Sequence, residues 1–202
     1  MLVIVDYGMG NLNSVKNMLK KIGQNSVISG EIGILEKADK IILPGVGSFE
    51  AAMTNIKNRN LYDILNRKAL VDKIPLLGIC LGMQLLTNHS EEGNVEGFGW
   101  IDANTLKFEF NNNNLKIPHM GWNRIRTDDS NLLFKNLQEK SKFYFVHSYY
   151  VRCSQKSNSL ATTEYGLTFD SSIHKDNIYG TQFHPEKSHK YGMELLKNFS
   201  NI

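Results

Sequence analysis

The chain has 202 residues, 41% of them apolar and 21% charged, with a net charge of +3 and two cysteines. That composition is globular and excludes a disordered segment, a collagen and a coiled coil. The small charge excess argues against nucleic acid or membrane as the leading partner, and two cysteines are too few for a disulfide framework or a zinc site. The length favours one domain over residues 1–202, because α/β units run to roughly 200 residues before a core splits.

Met1–Asp6 has no basic leader and too short an apolar run for a signal sequence, which predicts a first buried strand over Leu2–Asp6 and a cytoplasmic location. Leu12, Val15, Leu19 and Ile22 keep helical spacing within Asn11–Ile22. Ser26–Ser29 and Lys40–Pro44 are predicted strands, Phe49–Lys57 and Leu61–Val71 predicted helices, and Leu76–Ile79 a strand feeding directly into a helix over Leu81–Asn88. The longest apolar stretch, residues 75 to 87, is broken by Gly78 and Gly82 and falls short of the roughly 18 residues that a membrane span needs.

After Asn88 short strand candidates follow one another: Gly99–Ile101, Thr105–Phe110, Trp122–Arg126, Phe143–Ser148, Tyr150–Cys153, Ser159–Glu164, Leu167–His174 and Ile178–Phe183. The Asn111–Asn114 run reads as a solvated loop. A last helix is predicted over Ser188–Phe199, with Ser188 as N-cap and Tyr191, Leu195 and Phe199 on one face. Strands alternating with helices predict an α/β fold, a mostly parallel sheet flanked by helices, here with an antiparallel extension.

Gly78-Ile79-Cys80-Leu81-Gly82 ends a strand and opens a helix, the arrangement of a nucleophile elbow. Glycines flank the turn so that the Cys80 sulfur can project at the sheet edge, where a helix N-terminus favours thiolate. By itself the pattern is equally compatible with a buried cysteine acting as a small hydrophobe. Downstream, Gln182-Phe183-His184-Pro185-Glu186 supplies a base and an acid to orient it, Pro185 releasing both from the strand. His184 lacks a ligand-spaced partner, so no metal is expected. Leu43-Pro44-Gly45-Val46-Gly47 can turn the amides of Val46 or Gly47, with that of Leu81, into an oxyanion hole. The order Cys, His, Glu favours thiol-based acyl transfer. In Gly8-Met9-Gly10, Asn13 stands where a dinucleotide fingerprint needs its last glycine, which excludes nucleotide binding.

Gly-Ile-Cys-Leu-Gly-Met-Gln (residues 78–84) and Phe-His-Pro-Glu-Lys-Ser (183–188) resemble the class I glutamine amidotransferase family. Asp6–Asn11, Leu43–Gly47, Pro118–Asn123 and Phe143–Tyr149 extend the resemblance along the whole chain. It implies the flavodoxin-like fold of that family, no cofactor, a Cys80–His184–Glu186 triad, and a glutamine pocket lined by Gly47, Gln84, His147, Ser148 and Tyr149. Within the family the likeness is to glutaminase subunits of histidine biosynthesis. These form a heterodimer with a (β/α)₈ barrel, the cyclase subunit HisF, and pass it ammonia. Asn11, Ser14, Trp122 and Lys187 match positions expected to face that barrel. The absence of sequence for an acceptor-binding domain points the same way. From the residues alone, Trp122 is as compatible with the core as with an interface. The resemblance and the two glycines also imply that the Pro44–Gly47 peptides flip, leaving the glutaminase nearly silent without its partner. Glu91–Trp100 and Tyr150–Cys153 depart from the histidine-pathway pattern and leave two alternatives open: a paralogue supplying ammonia for sugar amidination in surface-polysaccharide synthesis, and a stand-alone thiol hydrolase.

Overall fold

A computed structural model describes residues 1–110, 115–127, 131–137 and 141–202, so the expected Asn111–Asn114 loop lies outside the described residues. The first part alternates: β1 (Leu2–Val5), α1 (Leu12–Lys21), β2 (Ser26–Ser29), α2 (Ile32–Leu35), β3 (Lys40–Gly45), α3 (Phe49–Asn58), α4 (Tyr62–Asn66), β4 (Leu76–Cys80) and α5 (Leu81–Gln84). Ten strands follow among the described residues: β5 (His89–Ser90), β6 (Val95–Glu96), β7 (Ala103–Lys107), β8 (His119–Arg124), β9 (Arg126–Thr127), β10 (Lys142–His147), β11 (Tyr149–Cys153), β12 (Ser159–Glu164), β13 (Thr168–Lys175) and β14 (Ile178–Thr181). The last helix is α6 (His189–Asn201).

The main sheet runs β2-β1-β3-β4-β14-β13-β11-β7-β5-β6, and β8 and β10 form a separate antiparallel pair. Strands β2 to β14 along this order are parallel, and the run from β14 to β7 is antiparallel. The expected fold class therefore stands. Alternate residues of each parallel strand enter opposite cores: Val3, Val5, Ile41 and Leu43 pack with α3 and α4, whereas Leu2, Ile4 and Ile42 pack with α1 and α6. Burial on both faces explains the unbroken apolar runs of these strands.

Three expectations need correction. The helix expected over Leu81–Asn88 stops at Gln84, because the Leu85 and Leu86 carbonyls accept from the amides of Phe98 and Ile101. That same exchange keeps Gly99–Ile101 out of the sheet. The helix expected over Leu61–Val71 is α4 continued by a wider π turn at Arg67–Val71. Ser188 precedes α6, but its hydroxyl makes no N-cap bond; it donates to the His184 carbonyl at 2.6 Å and accepts from the Tyr144 amide at 3.0 Å.

Candidate active site

The site forms at the carboxyl ends of β3, β4 and the segment after β14, which register places side by side. Gly45 lies opposite Cys80, and Ile79 lies between Pro44 and Thr181. Cys80 adopts φ +54°, outside the range that a side chain normally tolerates. Its neighbours make the turn possible: a Cβ on Gly82 would lie 1.8 Å from the Leu43 carbonyl oxygen, and one on Gly78 would lie 2.5 Å from the Gly82 carbonyl oxygen. Only glycine permits this approach of β3, β4 and α5, and the elbow predicted from sequence is the one observed.

The structure brings Cys80, His184 and Glu186 together. His184 Nδ1 donates to Glu186 Oε1 at 2.7 Å, with both side chains 2% exposed. Pro185 opens a 3-10 turn, Pro185–Lys187, that carries Glu186 back beneath the imidazole. A Cβ on Gly192 would lie 1.8 Å from the Pro185 carbonyl oxygen, so α6 clamps this turn from below. Burial works against an imidazolium at His184, but the neighbouring Cys80 and Glu186 outweigh it and raise the pKa to about 10. His184 Nε2 is buried and has no hydrogen-bond partner among the described residues.

Cys80 and His184 line one cavity of about 290 Å³, together with Val46, Gly47, Leu81, Gln84, Glu92, Pro118, Val146, His147, Ser148 and Tyr149. The sequence-predicted oxyanion and pocket residues thus share a single cavity. Gly47 has φ +108°, and a Cβ there would lie 2.6 Å from Met9 Cε. The Gly8–Gly10 turn, read from sequence only as not a nucleotide loop, therefore covers this segment. The carboxylate of Glu92 was missed. It accepts from the Phe49 amide at 2.9 Å, at the start of α3, and a lone acid in a charged loop carries no sequence signal for that position.

A chain of hydrogen bonds with fixed polarity lies behind the cavity wall. His147 Nδ1 donates to the Tyr149 carbonyl at 2.7 Å, which leaves His147 Nε2 to accept from His119 Nδ1 at 2.9 Å. His119 Nε2 then accepts from Asn123 Nδ2 at 3.2 Å. Burial lowers the pKa of His119 to about 4 and that of His147 to about 3, so both rings are neutral. His119 was quoted from sequence only as part of a motif.

A family model described as glutamine amidotransferase class-I matches residues 3–201. The chain belongs to the class I glutamine amidotransferase family. Over 199 residues, 98% of both chains, this amidotransferase is 58% identical to imidazole glycerol phosphate synthase subunit HisH 2 of Methanococcus maripaludis. It is 44% identical to a protein of the same name from Pseudomonas aeruginosa over the full length of both chains. Solved structures share the fold. A glutamine amidotransferase matches with a TM-score of 0.74 at 17% identity, covering 98% of this chain and 97% of that one. PurLQS from Thermotoga maritima matches with a TM-score of 0.72 at 18% identity, covering 99% of this chain and 97% of that one.

The four positions expected to face a partner in this amidotransferase lie at one end of the molecule. Asn11 and Ser14 stand at the start of α1, which packs against the Pro185–Lys187 turn. Lys187 lies over the Tyr144 ring, and Trp122, 47% exposed, stacks on His189 and meets Tyr144 edge-on. Met120 and Ile117 are exposed nearby on the chain. Trp122 is thus a surface residue rather than part of the core. Cys153 is half-buried beside Asp170, and burial and that carboxylate push its thiol pKa up. No helix among the described residues is long and apolar enough to cross a membrane.

Proposed function

We propose that this chain, a single glutamine amidotransferase domain over residues 1–202, is the cytoplasmic glutaminase subunit of an imidazole glycerol phosphate synthase. It hydrolyses L-glutamine to L-glutamate and ammonia. The ammonia passes to a cyclase subunit, HisF, which converts PRFAR to imidazole glycerol phosphate and AICAR. The buried His184–Glu186 hydrogen bond beside Cys80 in a closed pocket carries the chemical half of this proposal. The 58% identity to a HisH subunit over 98% of both chains supports the pathway.

The Cys80 thiolate attacks the side-chain amide carbon of glutamine, and the C–O π electrons move to oxygen. The amides of Leu81 and of Val46 or Gly47 stabilise this oxyanion. Loss of one such donor typically costs about 10²–10³ in rate. The tetrahedral intermediate collapses as the C–N bond breaks, and the imidazolium of His184 gives its proton to the leaving ammonia. His184 then takes a proton from water, whose oxygen attacks the thioester and releases glutamate and the thiolate. Glu186 holds the imidazole and stabilises its charged form. Gln84, His147, Ser148 and Tyr149 line the substrate, and the Glu92 carboxylate complements its α-ammonium group.

Asn11, Ser14, Trp122 and Lys187 face the barrel, which biases the exposed Val46–Gly47 segment toward its working orientation. The test is Cys80→Ala assayed with the cyclase subunit. Glutamine-dependent synthesis is expected to vanish and ammonia-dependent synthesis to survive; survival of both, or loss of both, contradicts the proposal. The numeral 2 in the names of both relatives favours a second reading, a paralogue supplying ammonia for sugar amidination in surface-polysaccharide synthesis. Rescue of a histidine auxotroph separates the two.

A further inference from the structure

We propose that Gln182 is a hydrogen-bond donor to the Cys80 sulfur and that Gln84 is the positioning residue that aims it. This deepens, and rests on, the assignment of Cys80 as nucleophile. The polarity of the contact follows from one group that can only accept, the Tyr149 carbonyl. Gln84 Nε2 lies 3.2 Å from that oxygen, which identifies this end of the Gln84 amide as its NH₂. The same NH₂ lies 3.1 Å from Gln182 Oε1. The NH₂ of Gln182 is therefore turned to Cys80 Sγ, at 3.8 Å. A reversed Gln182 amide would set NH₂ against NH₂ and an oxygen against the sulfur. Both glutamines are buried, Gln182 completely.

On its other side the sulfur lies 3.9 Å from the Val146 carbonyl, to which a neutral thiol donates. Ionisation removes that S–H bond and leaves two acceptors facing each other. Among the described residues, Gln182 then supplies the one side-chain N–H hydrogen-bonded to sulfur. A donor to the charged form favours that form, and more strongly where water is excluded. Tyr7, whose buried hydroxyl has no partner and whose pKa is pushed up by burial and then by Cys80, offers no competing charge. The other ionisable groups around the sulfur are His184 with Glu186 behind it, neutral His147, and Glu92 at the far wall of the cavity. Once the sulfur is acylated it carries no charge, so Gln182 acts chiefly on the resting nucleophile.

The test is the rate of iodoacetamide alkylation of the full-length chain across about pH 4 to 10, read by mass on the peptide bearing Cys80. In Gln182→Met the midpoint is expected to rise by about one pH unit with the alkaline plateau rate unchanged; loosened packing would move the plateau instead. Gln84→Met is expected to move the midpoint the same way by less, because Gln182 is then free to turn. If Gln182→Met does not fold, Gln182→Leu is read in its place. An unmoved midpoint with normal labelling overturns the donor. A midpoint moved in Gln182→Met but not in Gln84→Met overturns the role of Gln84. A wild-type Cys80 that resists alkylation at every pH overturns the nucleophile assignment and the donor with it.

Discussion

His184 and Glu186 stand two residues apart and are joined by a buried 2.7 Å hydrogen bond from Nδ1 to Oε1. Adjacent side chains on a strand would point to opposite faces, but the Pro185 turn breaks that alternation and brings acid and imidazole to one side. With Nδ1 committed to Glu186, Nε2 is the nitrogen left for chemistry at Cys80.

Replacing that carboxylate by Glu186→Gln is expected to lower kcat with glutamine by about 10²–10⁴, through loss of the orienting acceptor. The linkage has a definite sign. His184 titrates at about 10 in the fold, above its ordinary 6.5. The stabilisation is therefore complete below the ordinary value and is lost as pH rises through about 10. Urea denaturation at neutral pH and near pH 10 checks this: the wild type is expected to lose more stability over that interval than Glu186→Gln.

The His119–His147 pair has the opposite sign. Burial lowers the two pKa values to about 4 and about 3, so the unfolded chain takes up protons first as pH falls. Stability is expected to drop as pH descends from 6.5 toward these values. His119→Phe retains a ring against Phe145 and Tyr165 but removes the donor to His147 Nε2. It is expected to cost about 1–3 kcal/mol at neutral pH and to flatten the acid limb, both measured by denaturation.

Gly82→Ala places a methyl 1.8 Å from the Leu43 carbonyl oxygen, a clash of backbone with backbone. It is expected to prevent folding or to cost more than about 3 kcal/mol. Gly33→Ala, in α2 with nothing within 4 Å, is the control. It is expected to be neutral or to stabilise by up to about 1 kcal/mol. Thermal melts of the two variants decide the comparison.

Trp122→Ala removes an exposed indole that stacks on His189 and leaves the core untouched. The fold is expected to survive, while affinity for the barrel subunit falls by about 2–4 kcal/mol in calorimetric titration. Unchanged affinity would remove this surface from the proposed interface.

The fold class was legible because the parallel strands are buried on both faces and the helices on one, which writes distinct periodicities into Leu2–Val5 and Leu12–Ile22. The elbow was legible for a related reason. Backbone approach at Gly78 and Gly82 admits no side chain, so it leaves glycines at fixed offsets around Cys80. Helix ends were less so: Leu81–Asn88 keeps a helical pattern, yet its carbonyls are taken by Phe98 and Ile101 from a distant segment.

The two cysteines illustrate the division. Sequence by itself set Cys80 apart, through its glycines and the later His-Pro-Glu, and determined the α/β pattern that presents it. Only the tertiary structure decided which groups hold that sulfur. Gln182, Gln84, the Tyr149 carbonyl and the Val146 carbonyl come from separate elements. Their donor and acceptor ends are assigned by one another across space, and hydrogen-bond polarity of that kind leaves no periodicity in the chain.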